Sequence, residues 1–228
     1  MATPETLEAL ELPGHRPSAP GTGADHPMRT MTRRAAGLLD PPWDREAASE
    51  VAALFDSLAP EWHTRESADR TAIVRDALDR GLDPLVRPRS AGPGGTPPVA
   101  VELGAGLGTY SGEIAARFSL CLAVELSAEM HRLAHPSGAH RILADGSRLP
   151  VPDGSVDAVV LVNCFLFPQE VQRVLRVGGV VLWVNSSGTS TPIHLSTDEV
   201  VAALPFATSG VESRAGVGTW CALRREEP

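Results

Sequence analysis

Three glycines spaced two residues apart follow a short apolar run in the middle of the chain, and no other stretch constrains the fold as strongly. The apolar run covers residues 99–103, and the pattern that overlaps its end reads Glu102-x-Gly104-x-Gly106-x-Gly108. Glycines between a strand and a helix permit positive φ angles and let a ligand lie against bare backbone. Because a helix-compatible run covers residues 109–118, the pattern predicts a strand, a ligand-binding turn and a helix.

The spacing of these glycines distinguishes two classes of ligand. A dinucleotide-binding turn has its third glycine three residues after the second, whereas Gly108 follows Gly106 by two. The carboxylate of Glu102 would repel a pyrophosphate, but it suits a ligand that is cationic or rich in hydrogen-bond donors. A nicotinamide-dependent oxidoreductase is therefore the disfavoured interpretation of this turn.

Strand-like and helix-like segments alternate from residue 99 onwards. Continuous apolar runs predict the strands, as expected when helices cover both faces of a sheet. The alternation, with a tight Ala215-Gly216 turn near the end, predicts an α/β fold with a doubly wound, Rossmann-like, seven-stranded sheet and an antiparallel last strand. The predicted strands cover 99–103, 120–125, 141–144, 156–163, 180–185, 209–214 and 217–224.

The chain before this alternating region divides into three parts. Residues 1–40 are rich in Pro, Gly, Ala and Thr, so we expect a mostly disordered segment with at most a short helix at residues 6–10. Residues 41–86 carry helical periodicity and predict an N-terminal helical cap that covers the site. A breaker-rich linker at 87–98 then leads into the α/β core at 99–228.

Two helices are expected within the cap. The first starts at Arg45 and ends at Pro60, and the second covers residues 67–80 with Gly81 as its C-terminal cap. Trp62 and His63 therefore fall on the short connection between them, where site residues often occur.

Composition excludes several function classes. All 20 basic residues are arginine, so neither Schiff-base catalysis by lysine nor a P-loop lysine is possible. A net charge of −8 disfavours a nucleic-acid partner. Three cysteines without paired spacing, and no cluster with metal-ligand spacing, indicate a cytoplasmic protein without a metal site. We expect no contact with a membrane, and the sequence leaves an oligomer open.

The glycine turn resembles motif I of the class I methyltransferases, whose ligand is S-adenosylmethionine (SAM). Four further segments resemble small-molecule methyltransferases related to the ubiquinone and menaquinone biosynthesis enzymes, and the likeness covers about residues 50–225. The chain departs from these enzymes at Val177, where they usually carry proline. The four segments are 55–62, 149–157, 170–179 and 218–225.

This resemblance implies SAM as cofactor, with S-adenosylhomocysteine as product, bound at four successive strand ends. Glu125 would accept hydrogen bonds from both ribose hydroxyls, Asp145 would accept one from the adenine amino group, and Asn163 would contact the methionine part. The implied cofactor-binding residues are Glu102, Gly104, Ala105, Gly106, Gly108, Glu125, Leu126, Asp145, Gly146 and Asn163.

The implied reaction is methyl transfer to a small-molecule acceptor by in-line displacement. His63 and His194 are the candidate general bases, and Trp62, Phe165 and Phe167 are candidates for the wall of the acceptor pocket. The alternative is a SAM-binding pseudoenzyme or regulator without transferase activity, because the cofactor residues fit both.

Overall fold

The computed structural model describes residues 3–12, 26–86 and 98–227. Nearly all of the predicted linker, residues 87–97, lies outside the described residues, as do residues 13–25 of the N-terminal segment.

One mixed sheet of eight strands forms the centre of the described chain, in the order β1-β7-β8-β6-β5-β2-β3-β4. β8 runs antiparallel to both β6 and β7, and the other pairs are parallel. The predicted α/β fold is therefore confirmed, and β1 adds a two-residue strand to the seven that were predicted. The strands are β1 (Glu5–Thr6), β2 (Val99–Leu103), β3 (Leu120–Glu125), β4 (His140–Leu143), β5 (Val156–Val162), β6 (Leu175–Asn185), β7 (Thr208–Ala215) and β8 (Gly218–Arg225).

Helices cover both faces of this sheet. Four of them begin after a residue whose side-chain oxygen accepts a hydrogen bond from a backbone amide of the first turn, namely Asp44, Ser67, Ser127 and Ser196. The α-helices are α1 (Pro27–Ala35), α2 (Arg45–Leu58), α3 (Ala68–Asp76), α4 (Asp83–Leu85), α5 (Ser111–Ala115), α6 (Ala128–Leu133), α7 (Pro168–Val174) and α8 (Thr197–Ala203).

Alternating side chains of the central strands fill two separate cores. Val159 and Leu161 of β5 belong to the core under α7 and α8, whereas Ala158 and Val160 belong to the core under α3 and α5. β5 is buried along its whole length, which explains why its sequence is a continuous apolar run.

Gly81 does not cap the second helix of the N-terminal region, contrary to the sequence prediction. The helix continues from α3 through a π-helical turn at Ala77–Leu82 into α4. A Cβ on Gly81 would lie 2.7 Å from a ring carbon of Trp220, so the glycine permits close packing of this helix on β8.

The first described residues also differ from the expectation of a disordered segment with a short helix. Residues 5–6 pair in parallel with β7, and the amides of Leu7 and Leu10 continue the pairing to Glu212 and Arg214 at 2.8 Å each. Residues 5–10 are extended because the edge of β7 offers free backbone groups, which a short helix at this position would leave unpaired.

Candidate functional site

One cavity opens at the carboxyl ends of β2, β3, β4 and β5, where ligands bind in open α/β sheets. Its space, mouth included, is about 1060 Å³. Helix α2 and the 3₁₀ helix Ala59–Arg65 supply part of its wall, so N-terminal helices cover the site. The sequence-predicted site residues that line the cavity are Trp62, Glu102, Gly104, Ala105, Gly106, Glu125, Leu126, Asp145, Gly146, Asn163, Phe165 and Phe167.

The glycine turn is held in left-handed backbone conformations that favour glycine. Gly104, Gly106 and Gly108 have φ angles of +65°, +55° and +83°. A Cβ on Gly106 would lie in van der Waals contact with Nε1 of Trp62 at 3.6 Å, so the bare backbone of the turn faces Trp62 across the cavity. Gly108 faces away from the cavity, and a Cβ there would lie 3.2 Å from Nη1 of Arg141.

Glu102 is a buried carboxyl in the middle of the sheet. It lies on β2 between Ala123 and Val160, and it accepts a hydrogen bond from the Ser111 hydroxyl. The pKa of Glu102 is raised to about 7: burial is the main cause and the nearby charge of Glu125 adds to it, while the Ser111 hydrogen bond and the charge of Arg141 oppose the shift. A cationic ligand in the cavity would favour the ionised form of this group.

Glu125 joins the end of β3 to the glycine turn. Its Oε2 accepts a hydrogen bond from the Gly106 amide at 2.7 Å, and its Oε1 accepts one from the Ser127 amide at 2.8 Å. Burial raises the pKa of Glu125, and these backbone donors oppose the rise. Each carboxylate oxygen retains a lone pair, so the group can still accept hydrogen bonds from two ligand hydroxyls.

Asp145 connects the end of β4 to an aromatic side chain from the N-terminal region. Its Oδ1 accepts a hydrogen bond from the Ser147 amide at 2.8 Å, and its Oδ2 accepts one from Nε1 of Trp43 at 3.3 Å. Gly146 is needed beside it, because a Cβ there would lie 2.9 Å from the ring of Phe167.

Asn163 lines the cavity, but its side-chain amide is committed to Ser186. Its Nδ2 donates to the Ser186 hydroxyl and its Oδ1 accepts from the Ser186 amide, both at 2.8 Å. The residue has a φ of +50°, and the backbone of β5 turns there. The structure thus favours a turn-fixing role for this amide, joining the loops after β5 and β6.

Aromatic side chains form the apolar wall of the cavity. Trp43 packs against Phe165 and Phe167 with ring centroids 5.3 and 5.2 Å apart, and Phe55 packs edge-on against Trp62 at 5.5 Å. Both Phe165 and Phe167 are buried, and they share a cluster with Ile193 and with methionines of α1. This wall can hold a flat or apolar molecule.

The two candidate bases do not line the cavity. The short connection that carries Trp62 and His63 is a 3₁₀ helix. This helix directs Trp62 into the cavity and leaves His63 exposed. His194 is buried next to Ile193, and its Nδ1 has no hydrogen-bond partner among the described residues. Burial and the charge of Arg29 lower the pKa of His194.

Several lining residues were not among the sequence-predicted site residues. The clearest are Trp43, Arg65 and Arg70, which come from the N-terminal cap, and Tyr110, which follows the glycine turn. Arg65 lies over the ring of Trp62 at 4.6 Å, and Arg70 donates to the Arg65 carbonyl at 2.8 Å. Tyr110 was the most accessible to sequence reasoning, because it follows the glycine turn by two residues.

Residues 3–12, 26–86 and 98–227 contain neither a candidate metal centre nor a membrane-spanning helix. No group of three or more His, Cys, Asp or Glu side chains in these ranges could hold a metal ion. No helix in them is long and apolar enough to cross a membrane. The three cysteines are buried and free.

Residues 101–183 match the family model of a methyltransferase domain. The matched segment begins in β2 and ends in β6, so it contains the strand ends that build the cavity. None of the curated proteins compared with the chain matches it.

Solved structures of methyltransferases resemble the fold. A SAM-dependent methyltransferase from Thermotoga maritima, described as a possible histamine N-methyltransferase, shares 15% identity over 76% of this chain and 99% of its own, with a TM-score of 0.54. A SAM-dependent methyltransferase from Aquifex aeolicus shares 16% identity over 55% of this chain and 80% of its own, with a TM-score of 0.47.

In several other matched structures, this chain covers less than two thirds of the length of the matched protein. One of them is a complex between the Haloferax volcanii Trm112 methyltransferase activator and a methyltransferase. The match has 22% identity over 57% of this chain and 59% of the matched chain, with a TM-score of 0.45.

Proposed function

We propose that residues 101–183, which match a methyltransferase domain, form the core of a class I SAM-dependent methyltransferase, and that the chain methylates a small, largely apolar molecule. The observation that carries this proposal is the cavity, which the glycine turn and buried carboxylates line together with a wall of aromatic side chains. When bound, SAM supplies an activated methyl group.

The polar lining of the cavity has the chemistry to hold this cofactor. Gly106 presents bare backbone to the cavity, and Glu125 offers its remaining lone pairs to ribose hydroxyls. Asp145 accepts hydrogen bonds next to the aromatic wall, where an adenine ring would find both a polar and an apolar partner. Glu102 provides a buried carboxyl that complements a cation.

The aromatic wall of the cavity suits a small, apolar acceptor. Phe165 and Ile193 present apolar surface to the cavity, and Trp43 and Phe55 close it from the cap. We propose that residues 41–86 act as this cap and that residues 99–228 form the catalytic core. A cavity covered by helices has less room for a macromolecule than an open groove, and the acidic net charge disfavours a nucleic-acid acceptor.

Alignment of acceptor and cofactor is the proposed main contribution of this chain. Positioning two reactants can supply about 7–11 kcal/mol of the barrier reduction. Among the described residues no imidazole lines the cavity, so we favour an acceptor whose attacking atom is already unprotonated at neutral pH. We place the reaction in the cytoplasm, which the three free cysteines support.

A turnover assay tests this function. The purified chain is incubated with SAM and a panel of neutral amines, phenols, carboxylic acids and thiols, and formation of S-adenosylhomocysteine is measured with and without each compound. We expect acceptor-dependent product that disappears in Gly106→Val. Binding of S-adenosylhomocysteine without turnover across the panel would instead favour the SAM-binding regulator.

A further inference from the structure

Both backbone polar groups of Gly106 are held by charged side chains. The amide of Gly106 donates to Oε2 of Glu125, and its carbonyl accepts from Nη2 of Arg141, each at 2.7 Å. Glu125 ends β3 and Arg141 lies on the neighbouring strand β4. The middle glycine of the turn is therefore fixed from two strands, although it has no side chain of its own.

Arg141 is also the basic residue that faces the buried carboxyl pair. Its charge acts on both Glu102 and Glu125, and it opposes the rise in the pKa of each. The Ser111 hydroxyl from α5 faces Glu102 as well. Three weakly acidic side chains complete the surroundings of the pair, namely Tyr110 after the glycine turn, Cys121 on β3 and Cys164 after β5.

The guanidinium of Arg141 leaves two of its nitrogen atoms without a hydrogen bond to the described residues. Its Nε and Nη1 atoms are buried and have no hydrogen-bond partner among the described residues, and burial lowers the pKa of Arg141. A buried donor without a partner is costly, so packing alone gives no reason for an arginine here. Its contacts with the glycine turn and its charge do give one.

We propose that Arg141 is a positioning residue: it fixes the Gly106 carbonyl and keeps the Glu102–Glu125 pair in the charged form that receives a cationic cofactor. This inference rests on the proposed function, because it concerns cofactor capture at the same turn. Arg141 acts through Gly106 and the carboxyl pair, since it is absent from the lining of the cavity.

Calorimetric titration of S-adenosylhomocysteine from about pH 6 to pH 8.5 tests the proposal on the full chain. Arg141→Gln removes the charge, Arg141→Lys retains it, and Arg214→Gln is the matched control on strand β7 near the opposite edge of the sheet. Thermal melts establish that each variant is folded. The Lys variant still tests the proposal through its pH profile if the Gln variant does not fold.

We expect Arg141→Gln to weaken binding about tenfold or more at pH 7. The pH at which the dissociation constant changes should move to a higher value, because the carboxyl pair ionises less readily without the positive charge. Arg141→Lys should keep the wild-type pH profile with weaker binding throughout, and Arg214→Gln should match the wild type. A pH profile displaced in Arg141→Lys, or unchanged in Arg141→Gln, would overturn this inference while leaving the function intact. Absence of binding to the wild type would overturn the proposed function and this inference together.

Discussion

The amide of Gly106 donates a 2.7 Å hydrogen bond to Oε2 of Glu125. This bond ties the glycine turn after β2 to the carboxylate at the end of β3. The same carboxylate accepts from the Ser127 amide at the start of α6. A ligand that contacts Glu125 therefore meets a group whose position is already fixed, and fixed groups lose less entropy on binding.

Gly106→Val should abolish cofactor binding. A side chain at this position would project into the space between the turn and Trp62, where the ligand is proposed to lie. Valine also disfavours the φ of +55°, so the strain must be separated from the obstruction.

Gly154→Val provides the matched control for that substitution. Gly154 has a φ of +58°, and a Cβ there would meet nothing within 4 Å, so the variant carries the backbone strain without lining the cavity. We expect both variants to lose similar thermal stability and only Gly106→Val to lose binding of S-adenosylhomocysteine. Equal binding by both variants would remove the glycine turn from the site.

Glu102 should make stability depend on pH. Its pKa of about 7 in the fold lies above the ordinary 4.5 of the unfolded chain, so the folded state binds this proton more tightly. The free energy of unfolding should therefore fall as pH rises from 4.5 to about 7 and level off above, by at most about 1.4 kcal/mol per pH unit.

Glu102→Gln should remove this contribution. Urea denaturation at several pH values should show the variant gaining stability relative to the wild type as pH rises through this window. Glu129→Gln, at a half-exposed carboxylate whose pKa is lowered by Arg132, is the control and should follow the wild type in this pH range. A constant stability difference between Glu102→Gln and the wild type would show that Glu102 does not titrate there.

Trp62 and His63 are neighbours that should behave differently on truncation. Trp62 lines the cavity under the guanidinium of Arg65, whereas His63 is exposed. Trp62→Ala should weaken binding of S-adenosylhomocysteine several-fold, and His63→Ala should remain within about twofold of the wild type, since surface changes usually cost under 0.5 kcal/mol. A large loss in His63→Ala alone would restore it as a site residue.

Deletion of residues 1–12 should lower the melting temperature. Leu7 and Leu12 pack against the core, and the Gly216 amide donates to the Leu10 carbonyl at 2.8 Å. A loss of 1 kcal/mol lowers the melting temperature of a chain of this size by about 2–4 °C. The exposed Glu11→Ala variant should melt like the wild type. An unchanged melting temperature on deletion would show that this strand contributes nothing.

Local signals made much of the core predictable. The apolar runs ended near the observed strand ends, and polar residues such as Glu125 and Asp145 directly follow those runs, so their convergence at one sheet edge follows from parallel strands. The pairs Trp43–Asp145 and Arg141–Gly106 were not predictable, since each joins residues far apart in sequence. Strand β1 was missed because two residues show no period.

Calorimetric titration of S-adenosylhomocysteine into the wild type and Glu125→Ala tests whether the carboxylate that fixes the glycine turn also binds the cofactor. We expect saturable one-to-one binding to the wild type with micromolar or tighter affinity. Glu125→Ala should lose about 1.5–3 kcal/mol, the range for hydrogen bonds to a charged group. Glu129→Ala, a half-exposed acid four residues away, should bind like the wild type. No saturable binding to the wild type, or equal affinity in Glu125→Ala, would show that this carboxylate does not bind the cofactor.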